Sequence, residues 1–325
     1  MFDARARLLL LRGYLLEHTD ERHGATAREI IAHLELAGYR ADRRGVYADI
    51  ELLRESGLDI RIHRHRANEY YIGSRVFERS ELRLLTDMIR ASRVLSRERS
   101  EAMIEKLAQL GSRHDAAWLR RQGGVNGPHK AENERAFQNV GKILLALEQG
   151  NKLSFVYCQF TAKKALQPRR GGEEYIVNPC LLIYAEDHYY LIADHPYHEG
   201  LAHYRLDKME SVRALAEPAA PSDLSFDAAA YARTVFSMAP ARQRWVHLRF
   251  ECSLLSAMLD RFGADVPIEL MDEQHYALFA PVRVSPPFFG WVFQFNGRVK
   301  ILAPDDVREQ MLLMLEANRS PEELR

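Results

Sequence analysis

Cysteine is scarce in this chain. Cys158, Cys180 and Cys252 are the only three in 325 residues, far apart and without a CxxC pair, which argues against a disulfide framework and against a structural zinc site. Long hydrophobic runs are absent: none approaches the roughly 20 residues that cross a bilayer, so no membrane partner is expected. A secretory leader is not expected either, because Asp3, Arg5, Arg7 and Arg12 break up the apolar stretch at the N-terminus; a cytoplasmic location is the resulting expectation. Net charge is also lacking, with 45 Lys and Arg against 45 Asp and Glu, so only the distribution of charge can speak for or against nucleic acid. The motifs GxxxxGK[ST], GxSxG and HExxH do not occur, and nothing links the Cys and His residues as nucleophile and base. An enzyme and a cofactor therefore have no positive support. Bulk disorder is excluded by an apolar fraction of 47%, far above that of chains that cannot form a core. The length suffices for two or three domains.

Within residues 1–75, Leu8, Leu11 and Leu15 recur at helical spacing and predict a helix near residues 4–18. Thr26-Ala27-Arg28-Glu29 is a capping box that opens a second helix with Ile30, Ile31 and Leu34 on its apolar face. Gly38 stops it. Asp42 caps a third helix reaching about Ser56, with Val46, Ile50 and Leu53 inward and Arg43, Arg44, Tyr47, Glu51 and Arg54 outward; Gly57 ends it. Residues 60–63 and 69–72 read as two strands joined by a turn at residues 64–68. The run Arg61, His63, Arg64, His65, Arg66 contains no acid and suits a phosphate backbone. Helix, helix, helix and hairpin describe a winged helix-turn-helix, whose third helix would enter the major groove of double-stranded DNA. The candidate DNA contacts are Thr26, Arg28, Arg43, Arg44, Tyr47, Arg54, Arg61, Arg64 and Arg66. A small helical domain with a solvated basic face is the plainer alternative.

Three further helices are expected over residues 76–149, marked by Leu82, Leu85 and Met88, by Met103, Leu107 and Leu110, and by Phe137, Val140, Leu144 and Leu147. Residues 111–131, with Gly123, Gly124, Gly127 and Pro128, read as a loop. These helices either link residues 1–75 to the region beyond Gly150 or form a dimer; the sequence does not separate the two roles. After Gly150 the period changes to two. Residues 153–157, 175–177, 181–184, 189–193 and 203–206 alternate as short strands, enough for a small barrel over residues 150–215. His188, His195, His198 and His203 fall here and read as surface loop residues rather than metal ligands, since Pro196 disfavours a helix that would align His195 with His198. Residues 216–240 are an Ala- and Pro-rich connector. Residues 241–325 adopt a β-α-β-β-α-β order, the ferredoxin-like pattern, with a last helix whose buried stripe is Val307, Met311 and Leu315.

Two strings carry a family resemblance. Arg43-Arg44-Gly45-Val46-Tyr47-Ala48-Asp49-Ile50-Glu51-Leu52-Leu53 resembles the third helix of bacterial regulators of the WYL (Trp-Tyr-Leu) class, with Gly45 in place of a hydroxyl residue and Ala48 in place of an arginine. Asn178-Pro179-Cys180-Leu181-Leu182, then Tyr189-Tyr190-Leu191, then Tyr204-Arg205-Leu206-Asp207-Lys208 resembles the WYL domain itself in order and spacing. Tyr189 stands where Trp is usual, Lys208 where a second Arg is usual, and Ala202 where an Arg often lies. The resemblance implies an α+β multidomain chain: a winged helix-turn-helix, a helical linker, a small SH3/Sm-like β-barrel and a ferredoxin-like C-terminal extension. It also implies a homodimeric transcription regulator whose barrel senses a nucleotide or short nucleic-acid effector. Arg205 is then the first candidate for phosphate, assisted by Lys208 and by Arg169 or Arg170, with Tyr189 and Tyr190 as aromatic partners and Tyr190 the better for stacking. The alternative for these residues is structural: one Tyr buried, one exposed, and Asp207 satisfying Arg205. For the whole chain, a non-sensing architectural DNA-binding protein and a nucleic-acid-processing enzyme stay open.

Overall fold

The computed structural model describes residues 4–64, 66–121, 134–195, 200–220 and 228–318. His65 of the expected hairpin turn, the expected loop residues Gly123, Gly124, Gly127 and Pro128, and Pro196 and His198 lie outside them. The chain is mixed helix and sheet and divides into two compact units, Met1–Glu132 and Asn133–Arg325. None of the described helices is long and apolar enough to cross a membrane.

In the first unit, α1 (Ala4–His18) is followed by a short strand β1 (Ala25–Thr26), α2 (Ala27–Leu36), α3 (Arg43–Glu55) and the hairpin β2 (Ile60–Arg64) and β3 (Asn68–Ile72), in sheet order β1-β3-β2. Local chemistry sets these limits. The Thr26 hydroxyl accepts from the Glu29 N–H while the Glu29 carboxylate accepts from the Thr26 N–H at 2.7 Å. Asp42 accepts from the Gly45 N–H at 2.6 Å and opens α3, and Gly57, at φ +96°, takes the left-handed turn that ends it. Leu11, Leu15, Ile30, Leu34, Val46, Ile50 and Ile72 form the core. One ion pair lies in it: Arg7 on α1 grips Asp49 on α3 through two hydrogen bonds of 2.8 and 3.1 Å.

The rest of this unit is α4 (Arg79–Ala91), α5 (Arg97–Ala108) and α6 (Arg113–Arg121). Helix α6 corrects the expectation of a loop from residue 111. Ser112 and Asp115 cap each other, the Ser112 hydroxyl accepting from the Asp115 N–H at 3.1 Å and the Asp115 carboxylate accepting from the Ser112 N–H at 3.2 Å, and the glycines that suggested a loop come only after this helix. The α5 face is also turned from the expected one. Ser100, Ile104 and Ala108 are buried, whereas Leu110 is exposed.

The second unit opens with α7 (Arg135–Gln149), then β4 (Asn151–Phe160), β5 (Leu166–Pro168), β6 (Glu174–Ala185), β7 (His188–Asp194), β8 (Leu201–Arg205) and β9 (Met209–Pro218). These strands form one antiparallel sheet, β5-β4-β6-β7-β8, with β9 also pairing β4. The two strands expected at 175–177 and 181–184 are one, carried past Pro179 by a register shift between Pro179 and Leu181. Helix α7 buries Ala136, Asn139, Ile143 and Ala146, while Phe137 and Leu144 of the expected stripe are exposed. The reason is close approach: small residues let the helix lie near the sheet, and the Asn139 amide donates to the carbonyls of Leu206 and Met209 at 3.1 and 2.9 Å. Helix α8 (Ala228–Thr234) leads to β10 (Gln243–Glu251), α9 (Leu255–Phe262), β11 (Ile268–Leu270), β12 (His275–Arg283), α10 (Pro286–Phe293), β13 (Val299–Ala303) and α11 (Asp305–Ala317), with sheet order β11-β12-β10-β13, all antiparallel. Phe250, Phe288, Val246 and Leu248 centre its core. On α11 only Val307 is fully buried; Leu315, expected inward, is exposed.

Because Asp49 is buried and Arg7 is partly so, removing one leaves the other without its counter-charge. Asp49→Ala is expected to cost roughly 3 kcal/mol in urea unfolding of the full chain; a change below about 0.5 kcal/mol, the size of an ordinary surface substitution, would contradict the role given to this pair.

Candidate nucleic-acid interface and anion cavity

Helix α3 turns Val46, Asp49, Ile50 and Leu53 inward. The 3.6-residue period then places Arg43, Arg44, Tyr47 and Ala48 outward, and all four are exposed. Arg43 and Arg44 form no ion pair among the described residues. Tyr47 lies 6.1 Å from the Tyr70 ring of the hairpin. Arg28 on α2 and Arg64 and Arg66 at the hairpin are exposed.

Three of the expected contacts are occupied within the fold. Arg54 donates to the Ile60 carbonyl at 2.8 Å and to Glu51 at 2.6 Å, bracing α3 against the hairpin. Arg61 pairs with Asp59 at 2.9 Å. The Thr26 hydroxyl is spent on its cap. The exposed basic set that remains is Arg28, Arg43, Arg44, Arg64 and Arg66.

The second unit holds a cavity of about 760 Å³, within the range of small-molecule sites. Arg169, Arg170, Arg242 and Arg283 line it, together with Tyr175, His203, Tyr204 and residues 200–202 and 240–241; no carboxylate is among the described residues that do so. The Arg170 guanidinium lies 4.7 Å from the centre of the Tyr175 ring. Arg283 lies 4.6 Å over Tyr231 and donates to the Ala241 carbonyl at 2.8 Å, while its Nε is buried without a hydrogen-bond partner. Tyr175 and Tyr204 belong to a cluster with Phe155 and Tyr157, Phe155 stacking on Tyr175 at 5.6 Å and Tyr204 meeting Tyr157 edge-on at 5.1 Å. Burial pushes the Tyr204 phenol up to about 12, so it stays protonated and can donate. Guanidiniums gathered around one cavity suit an anion, and their planar forks suit the paired oxygens of phosphate.

The effector residues expected from the sequence divide. Arg169 and Arg170 line this cavity; Tyr189, Tyr190, Arg205 and Lys208 do not. Arg205 alternates with Tyr204 on β8 and is engaged by Asp207 through two hydrogen bonds of 3.1 and 2.7 Å. Tyr190 is buried against Ile183, Ile192 and Tyr231, which removes it as a stacking surface. Tyr189 packs edge-on against Tyr184 at 5.1 Å. Burial and the nearby Arg205 charge lower the Lys208 ammonium, which lies 6.0 Å from the Phe160 ring. Arg242 and Arg283 were not singled out in the sequence: they stand just before β10 and at the end of β12, and no local motif marks them as neighbours of Arg170. The reading as surface loop residues is corrected: His188 opens β7 and His203 lies in β8. His195 is buried. The His203 Nδ1–H donates to the Met238 carbonyl at 2.6 Å, which leaves Nε2 to accept from the Tyr231 hydroxyl.

With this geometry in place, the comparisons with known proteins bear directly on the sheet β4–β9. Residues 138–214 match the WYL domain family. The chain carries a WYL domain. The match begins inside α7, the helix tied to the WYL sheet through Asn139. Among solved structures, proteasome accessory factor B/C (PafBC) of Arthrobacter aurescens is 22% identical over 97% of this chain and 48% of that one, with a TM-score of 0.27. This WYL-domain chain thus spans about half the length of the PafBC chain. A CRISPR Cas-related protein is 10% identical over 99% of this chain and 86% of that one, with a TM-score of 0.35. No curated protein matches.

Burial holds the His203 imidazole below its ordinary value of 6.5. The unfolded chain therefore takes up a proton that the folded chain resists. The stability that neutral His203 confers is complete above about pH 6.5 and is lost as pH falls through the window below it. Thermal unfolding of the wild type is expected to weaken more steeply than that of His203→Gln between about pH 6.5 and 5; parallel pH dependences would show that His203 is not held neutral.

Proposed function

We propose that this WYL-domain protein is a DNA-binding transcription regulator whose second unit senses an anionic, phosphate-bearing effector such as a nucleotide or short nucleic acid. In this reading residues 4–72 act as a winged helix-turn-helix and α3 lies in the major groove. The sheet β4–β9 is the SH3/Sm-like sensor barrel. Residues 243–303 are a ferredoxin-like module, a reading supported by their strand order of second, third, first, fourth. The protein works as a homodimer on a two-fold operator.

The observation that carries the reading is Arg43-Arg44 at the exposed start of α3, with no acid paired to either and Tyr47 one turn on. Arginine forks in that position can reach guanine O6 and N7. Arg28, Arg64 and Arg66 supply the sequence-independent phosphate contacts. Effector binding acts only through its preference for one arrangement of the chain over another. No catalytic step is assigned to any residue.

The test begins with DNA fragments retained by the purified protein, identified by sequencing. On such a fragment Arg44→Ala is expected to weaken binding by about 1–3 kcal/mol, roughly 5- to 150-fold, while Arg283→Ala leaves affinity unchanged but abolishes any shift produced by added nucleotides or oligonucleotides. Unchanged affinity for Arg44→Ala would reject the readout role. Absence of any ligand effect on the wild type would favour a non-sensing architectural protein, and strand cleavage on adding a divalent metal would favour an enzyme.

A further inference from the structure

We propose that Asp20, His23 and His114 form a binding site for a divalent transition-metal ion of the zinc class in the first unit. The inference goes beyond the DNA-binding reading and stands independently of it. One ligand atom from each residue falls within 4.8 Å of the others. The backbone assembles two of the three: Asp20 and His23 form an isolated antiparallel bridge between α1 and β1, each N–H donating to the other's carbonyl at 3.0 Å. His114 arrives on the first turn of α6, fixed by the Ser112–Asp115 cap. The Ser112 hydroxyl also donates to Asp20 Oδ2 at 2.6 Å, a contact across 92 positions that brings the two segments together.

Contacts around the three residues arrange them before any ion binds. The His23 and His114 rings stack at 3.7 Å with planes 11° apart, an arrangement that two imidazolium ions would resist by repulsion. One ring nitrogen of His114 is bonded to the His18 backbone, and Nε2 accepts from Arg113 Nε at 3.5 Å, a long contact that an ion would displace. Asp20 accepts from the Ser112 hydroxyl at Oδ2 and from His23 at Oδ1, which fixes the orientation of its carboxyl group. Such outer contacts orient ligands in metal sites. The Arg113 guanidinium, 3.5 Å from His114 Nε2, opposes a cation; the Asp20 and Asp115 carboxylates, both hydrogen-bonded to Ser112, offset it.

Donor chemistry selects the ion. Two imidazoles and one carboxylate are the wrong set for calcium or magnesium, which take oxygens, and suit zinc, cobalt or nickel. Asp20 Oδ1 accepts from His23 Nδ1–H at 2.7 Å; a bound ion would take the place of that proton, which is released to solvent. The side chain of His23 is 46% exposed, which gives the ring room to tilt out of the stack and gives the ion a path in; water completes the coordination. Occupancy would clamp α6 to the turn at residues 20–23, the same turn whose Glu21 carbonyl accepts from His63 of the hairpin at 2.9 Å.

The test uses the full chain, stripped with chelator and titrated with Co²⁺ by visible absorption and with Zn²⁺ by calorimetry. One equivalent should bind with d–d absorption, Zn²⁺ should raise the unfolding temperature, and His114→Ala and His23→Ala should each weaken binding more than tenfold. Should His114→Ala fail to fold, His23→Ala at its exposed position decides alone. No absorption and no heat in the wild type, or unchanged affinity in the variants, would overturn the site; the second result would place the metal elsewhere.

Discussion

The ion pair between Arg7 and Asp49 fixes the roll of α3, and the DNA-binding reading depends on that roll. Asp49 lies in the middle of the inward face, between Val46 and Leu53. A carboxylate there is costly unless it is paired, so α3 can seat only where Asp49 meets Arg7. Once it is seated, the helical period sends Arg43, Arg44 and Tyr47 to the surface. The same constraint explains why Arg54 does not join them: it lies nearer the hairpin and is spent on the Ile60 carbonyl and Glu51.

In the second unit the decisive fact is where the arginines stand. Arg205 carries the family-like motif but is held by Asp207. The cavity instead gathers guanidiniums from three places in the chain, at 169–170, 242 and 283, against tyrosines that the sheet holds edge-on to one another. An anion placed there would find Arg283 already oriented by the Ala241 carbonyl and the Tyr231 ring. Less of its binding energy would then go into ordering side chains.

Local signals were legible in the sequence. The Thr26–Glu29 capping box, the Asp42 cap and the turn at Gly57 are chemical punctuation, and they recur in the structure at those residues. Helix α6 was equally local, through Ser112 and Asp115, but the glycines downstream masked it. Where the reading relied on apolar periodicity alone it faltered. Helix α7 buries alanines and an asparagine because it approaches the sheet closely, which leaves Phe137 and Leu144 outside. Tyr190 was read by residue type, and tertiary packing buried it. The cavity and the cluster of Asp20, His23 and His114 were beyond reach for a different reason: each joins segments far apart in sequence, and no spacing rule connects Arg170 with Arg283 or Asp20 with His114.

The central claim is that the outward face of α3 reads base edges in the major groove. Methylation interference on a DNA fragment retained by the protein tests it directly, because a methyl group on guanine N7 blocks the major-groove edge that an arginine fork would contact. The account predicts strong interference at one or two guanines in each half-site, lost when Arg43 and Arg44 are both replaced by alanine. Binding insensitive to guanine N7 methylation, or an interference pattern identical in that double variant, would contradict it.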